Sequence, residues 1–200
     1  MKLLAASRMW TTLLLAGGLL AAGNASAYII DFEQGATTGG TFSCSGGNCS
    51  GSGIVFTILK ADTNNDGVVD TTTSDVNATL SFDTSANTLT LHGTIPSLGI
   101  NAAVDLVSGS FTAFNSVTGF DFFGTGPDRK NEDLLTALGI PVDTQWVYMT
   151  FELKSINGTV NSADLQNTSV PEPATLGIFG LGLLGMAWMV RRRNRASFTA

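Results

Sequence analysis

Apolar residues fall at every second position in several short stretches of this chain, and Gly, Asn, Asp, Ser or Thr cuts each stretch off. Leu80 and Phe82 share one face of a run, as do Leu89 and Leu91 after the turn at Thr84, Ser85, Ala86 and Asn87. Period-two alternation marks a strand with one buried face. The pattern predicts strands over residues 28–32, 54–60, 78–83, 88–92, 104–113, 117–123, 145–156 and 159–164. In the run before Asn157, Trp146, Tyr148 and Thr150 alternate with Val147, Met149 and Phe151. Asn157 and Gly158 then suit a type I′ turn, whose two central residues both need positive φ. One helix is predicted: Asn131 can cap it, Glu132 and Asp133 favour its positive N-terminal end, and Gly139 with Pro141 stops it. Phe56, Phe82, Phe111, Phe120, Phe122, Trp146 and Phe151 are enough large side chains to fill a core. Many short strands at this spacing predict an all-β fold, a β-sandwich of jelly-roll type with one short helix, over residues 28–168.

The two ends follow a different grammar. Lys2 and Arg8 form a positive start, residues 9–20 an apolar stretch, and Ala25, Ser26 and Ala27 a small-x-small cleavage site. Residues 1–27 therefore read as a signal peptide for the general secretory machinery, cut by signal peptidase after Ala27. Near the other end, residues 174–190 are 17 positions without a charge, about 25 Å long as a helix. That is close to the short limit for crossing a hydrocarbon core of about 30 Å. Trp188 stands where an interfacial aromatic anchors a span, and Arg191, Arg192 and Arg193 follow it. With the signal peptide removed and the body outside, that arginine cluster stays cytoplasmic, as the positive-inside rule expects. A single C-terminal transmembrane helix is the expectation.

Val170, Pro171, Glu172 and Pro173, then a Gly-rich apolar helix, then the arginine cluster, form an ordered set over residues 169–200. This set resembles the PEP-CTERM sorting signal, an element also called the ice-binding protein C-terminal domain. The resemblance implies a Gram-negative protein of the inner membrane, processed near the Pro-Glu-Pro by an exosortase. It also implies an association with exopolysaccharide and biofilm. Two prolines fix an extended, non-helical segment, a backbone that a peptidase can grip. The resemblance says nothing about residues 28–168, and the Thr runs there are too short for an ice-matching face.

Charge narrows the classes further. The chain has 200 residues and a formal charge of −6, yet most of its basic residues sit at the ends. Between Tyr28 and Val170 only Lys60, Arg129, Lys130 and Lys154 are basic, against fifteen carboxylates. So acidic a body repels phosphate backbones, which argues against nucleic acid as a partner.

Cys44 and Cys49 are the only cysteines. Export carries them into an oxidising compartment, and Gly46 with Gly47 between them allows the reversal that a disulfide needs. The spacing does not suit redox catalysis, and zinc would want more ligands. Asp62, Asn64, Asp66 and Asp70 place oxygen at positions 1, 3, 5 and 9 of a loop, with Gly67 at position 6. Together with the Val68 carbonyl they resemble the calcium loop of EF-hands and dockerin repeats. Position 12 is Thr73 where the bidentate carboxylate belongs, and Asp75 is a candidate late ligand. A polar hairpin loop, with Asn, Asp and Gly acting only as turn formers, is the other reading.

No catalytic motif is present, and the one histidine, His92, lies in a strand-like run. Glu33, Asp121 and Glu152 are candidate members of a glycosidase carboxylate pair, but strands alone do not place them together. Trp146 and Tyr148 on one strand face can form a flat platform for sugar rings, or can belong to the core. The expected function is an exported envelope or extracellular-matrix protein, not an enzyme, with a calcium-stabilised adhesion or matrix domain. A carbohydrate-binding module acting on exopolysaccharide is the alternative, and a polysaccharide-active enzyme the second alternative.

Overall fold

In a computed structural model, residues 27–169 are described, apart from residue 65 and residues 118–120. The signal peptide, the Pro171–Pro173 motif, the 174–190 span with Trp188, and Arg191, Arg192 and Arg193 lie outside the described residues. Residues 27–170 form a compact unit of their own. Among the described residues no helix is long and apolar enough to cross a membrane.

The unit is all-β with one short helix. Its strands are β1 (Ile29–Glu33), β2 (Thr41–Ser45), β3 (Asn48–Phe56), β4 (Ile58–Asp62), β5 (Thr71–Thr73), β6 (Asn77–Asp83) and β7 (Thr88–Ile95). They continue as β8 (Ile100–Gly109), β9 (Ala113–Val117), β10 (Asp121–Gly126), β11 (Asp128–Lys130), β12 (Trp146–Ile156) and β13 (Thr159–Ser169). Every pairing is antiparallel. One ladder runs β11-β8-β7-β6-β3-β2, and a second runs β9-β10-β12-β13-β1-β4-β5. They join where Thr41 of β2 pairs with Thr159 of β13.

The ladders face one another across a shared core. Phe82 of the first meets Phe122 and Phe151 of the second, with ring centroids 4.7 and 5.2 Å apart. Phe42 meets Phe122 at 6.1 Å. Such offset and edge contacts suit the ring quadrupoles and add to the area buried. The arrangement is sandwich-like. Phe56, Phe82, Phe111, Phe122, Trp146 and Phe151 are all buried, as expected of core-filling aromatics; Phe120 lies outside the described residues.

Local rules explain most elements. The helix α1 (Glu132–Ala137) opens on Asn131, whose side chain accepts from the Asp133 and Leu134 amides at 2.9 and 3.3 Å. It buries Leu134 and Leu135. Asn157 (φ 54°) and Gly158 (φ 79°) make the two-residue turn between β12 and β13, both in the left-handed region.

Four strand expectations change. The run at 104–113 is cut at Gly109, where β8 ends, and its last residue Ala113 opens β9. The run at 54–60 divides at Thr57, whose amide donates to the Glu33 carbonyl (3.2 Å), so its halves belong to β3 and β4. Of the run at 117–123, Val117 belongs to β9 and residues 121–123 to β10, which pair with each other, while residues 118–120 lie outside the described residues. Strict alternation also fails at the start of β12. The register with β13 shifts between Trp146 and Tyr148, a bulge that breaks the period of two. Trp146 consequently lies inward with Met149, Phe151 and Leu153.

Candidate functional site

The candidate calcium loop is the tip of the β4–β5 hairpin, where Leu59, Lys60 and Ala61 pair with Thr73, Thr72 and Thr71. Its flanks are strands, where an EF-hand has helices. Asp62 is buried, and its Oδ2 accepts from the Gly67 amide at 2.7 Å, which curls the loop around its first residue. Asn64 Oδ1 accepts from the Asp66 amide (3.2 Å), and Asp66 Oδ1 from the Val68 amide (2.8 Å). Asp70 turns back on the loop. Its Oδ2 accepts from the amides of Thr63 and Asn64 at 2.8 and 3.0 Å, and its Oδ1 from Asn64 Nδ2 at 3.0 Å. The Thr63 amide, first among these donors, holds the Asp70 carboxyl below its ordinary range.

The residues thus sit around one loop, but their oxygens serve its own backbone, as in Asx turns. Among the described residues, no three His, Cys, Asp or Glu side chains gather as a metal-holding group. The fit to calcium is partial: Asp70 would have to leave the Thr63 and Asn64 amides to become a ligand. Asp75 is no part of this loop's tip. It accepts from the Thr73 hydroxyl, and from the Ser97 amide and hydroxyl, each at 2.7 Å. It ties β5 to the 3-10 turn Pro96–Leu98.

Cys44 and Cys49 form a disulfide, with α-carbons 4.1 Å apart. They are a direct cross-strand pair of β2 and β3. Gly46 (φ 60°) and Gly47 (φ 82°) supply the two left-handed residues of the intervening turn. The bridge staples one hairpin and spans little of the chain.

Trp146 is buried, and the Lys130 ammonium stands 4.6 Å from its ring centre. A ring enclosed in this way offers no face to a sugar, so the structure does not support a platform at Trp146. The bulge that turned it inward was not visible in the alternation. The Tyr148 side chain lies outside the described residues. Lys130 and Asp128 of β11, two positions apart on one face, form an ion pair whose side chains are both fully enclosed. Burial pushes Lys130 down to about 8 and Asp128 up, each against the pull of the other's charge.

The candidate carboxylates part company. Glu33 forms an ion pair with Lys60. Asp121 and Glu152 line one shallow groove on the outer face of the second ladder, together with Asn115, Phe123 and Lys154. Phe123 is 41% exposed. It alternates with buried Phe122 on β10 and so must face outward. His92 Nδ1 lies 2.8 Å from Asp105 Oδ1 of the neighbouring β8, at the surface. Nothing in the sequence spacing announced that partner.

A cluster that sequence reading missed lies beside Glu33. Asp31 of β1 is pushed up to about 8, first by burial, then by its hydrogen bond to Asp164 of β13. The charges of Asp164 and Glu33 push the same way, and Lys60 of β4 opposes them. The β1–β13 pairing brings Asp31 and Asp164 together as diagonal neighbours.

The described domain is thus an acidic, sandwich-like all-β unit with a disulfide and a groove on the outer face of its second ladder. From Ser169, the last residue of β13, residues 169–193 match the PEP-CTERM protein-sorting motif. The chain therefore carries this motif immediately behind β13. No curated protein and no solved structure shows a significant match to the chain.

Proposed function

We propose that this chain is an exported envelope protein, sorted by an exosortase, whose β-domain is a non-catalytic adhesion or matrix module. The sorting motif at residues 169–193 carries this reading. In it, a signal peptide ending at Ala27 sends the chain through the secretory machinery. A single C-terminal span then holds it in the inner membrane until processing releases it to the surface or matrix. The position of β1 agrees with cleavage after Ala27. The Tyr28 amide donates to Ser169 Oγ at 2.7 Å, and among the described residues the first strand begins one residue later, past Ala27.

Fractionation tests sorting. Replacing Pro171, Glu172 and Pro173 by Ala is expected to leave the chain in the inner membrane while the parent reaches its final compartment. An unchanged destination overturns the proposal.

Calcium stabilisation of the Asp62–Asp70 loop belongs to the same proposal, supported by the oxygen spacing and the Gly67 to Asp62 bond. Millimolar calcium is expected to raise the melting temperature of the full chain relative to chelator, and Asp62→Asn to remove the increment. Equal melting curves in calcium and chelator refute it.

A further inference from the structure

Across the outer face of the second ladder, direct register partners run from Asn115 of β9 through Phe123, Glu152 and Asp164 to Glu33 of β1. Asp121 and Lys154 are paired in the adjoining row. The Phe123 ring lies partly in solvent in a groove of about 230 Å³, with Asn115, Asp121, Glu152 and Lys154 around it. The site combines a flat apolar plane with acceptors (two carboxylates), an amide that both donates and accepts, and an ammonium donor. A sugar ring has the matching properties: an apolar C–H face, and an edge of hydroxyls that donate and accept.

Size and charge restrict the choice. Pockets for drug-sized ligands run from about 300 Å³ upward, so this groove takes about one ring. A longer chain would continue along the row, meeting a new strand about every 4.8 Å. Asp121, Glu152, Asp164 and Glu33 outnumber Lys154 and Lys60 on this face, so a polyanion is repelled and a neutral polymer is not.

We propose that the groove at Phe123 binds one residue of a neutral polysaccharide, stacked on that ring and hydrogen-bonded by Asn115, Asp121, Glu152 and Lys154. The inference rests on export, which brings the domain to extracellular glycans, and it replaces Trp146 as the sugar-facing aromatic.

The test is calorimetric titration of the purified full-length chain in detergent with cellohexaose, xylohexaose and mannohexaose, with polygalacturonate as the anionic comparison. At least one neutral hexaose is expected to bind, and Phe123→Ala to weaken it at least about tenfold, with an unchanged melting temperature. If Phe123→Ala lowers the melting temperature, Glu152→Gln decides, with the same loss expected. Absence of binding by all three hexaoses at millimolar concentration overturns the proposal. So does full affinity in the deciding variant, or tighter binding of polygalacturonate. Because this assay is independent of destination, correct sorting without binding refutes the glycan site alone, and binding without sorting refutes the exosortase reading alone.

Discussion

Asp31 and Asp164, from the first and last strands of the domain, share a hydrogen bond between their carboxyl groups. Such a contact needs a proton on one of the two, and burial with the nearby charge of Glu33 keeps it there. Among the described residues, Lys60 of β4, held by Glu33, is the cation acting against it.

The pH dependence has a definite sign. The folded Asp31 carboxyl titrates near 8 against an ordinary 3.8, so the folded chain holds more protons than the unfolded one between those values. Its stabilisation is complete below about pH 3.8 and is lost as the pH rises through about 8. Asp70, Asp75 and Asp83 act oppositely, losing stability only in stronger acid. The melting temperature of the full chain is therefore expected to fall between pH 5 and pH 8. Asp31→Asn, which keeps a donor toward Asp164, is expected to flatten that slope. A slope retained in Asp31→Asn assigns it to another group.

The enclosed Lys130–Asp128 pair predicts an asymmetry. Lys130→Met strands the Asp128 carboxyl, whose Oδ1 already lacks a partner among the described residues, and is expected to cost about 3–5 kcal/mol. Adding Asp128→Leu is expected to recover most of that, because the desolvation of both charges disappears. Urea unfolding of the two variants checks this. A double variant less stable than the single one contradicts it.

Trp146→Ala should behave as a core deletion, costing about 3–5 kcal/mol by cavity formation and loss of the Lys130 contact. An exposed ring would cost far less. The denaturant midpoint of the variant separates the two outcomes.

Reducing the Cys44–Cys49 bridge is expected to cost only about 2 kcal/mol, since the loop it closes is six residues long. Far-UV circular dichroism with and without reductant should show the same sheet content at low temperature. Unfolding on reduction alone would assign the bridge a larger role.

These cases mark where sequence reading succeeds. The helix cap at Asn131, the Asn157–Gly158 turn and the staple at Cys44 were legible because each depends on neighbours along the chain. The aromatic core was legible from period-two alternation. The face of Trp146 was not, because one bulge shifts the alternation, and a bulge is set by the partner strand. Asp31 with Asp164, and His92 with Asp105, escaped for a related reason: strand order decides those meetings. The Asp62–Asp70 spacing showed where oxygens lie along the chain, but could not show that Asp70 turns onto the Thr63 and Asn64 amides.

The pairing of β1 with β13 sets a schedule for export. Translocation delivers β1 first, yet its β13 partner emerges only once residue 169 has left the channel. Until then β1 keeps an open edge, a template for illicit pairing. The β1–β13 ladder can form only as the Pro-Glu-Pro segment follows in the queue, so on the proposed route sorting would meet a domain only then able to finish folding.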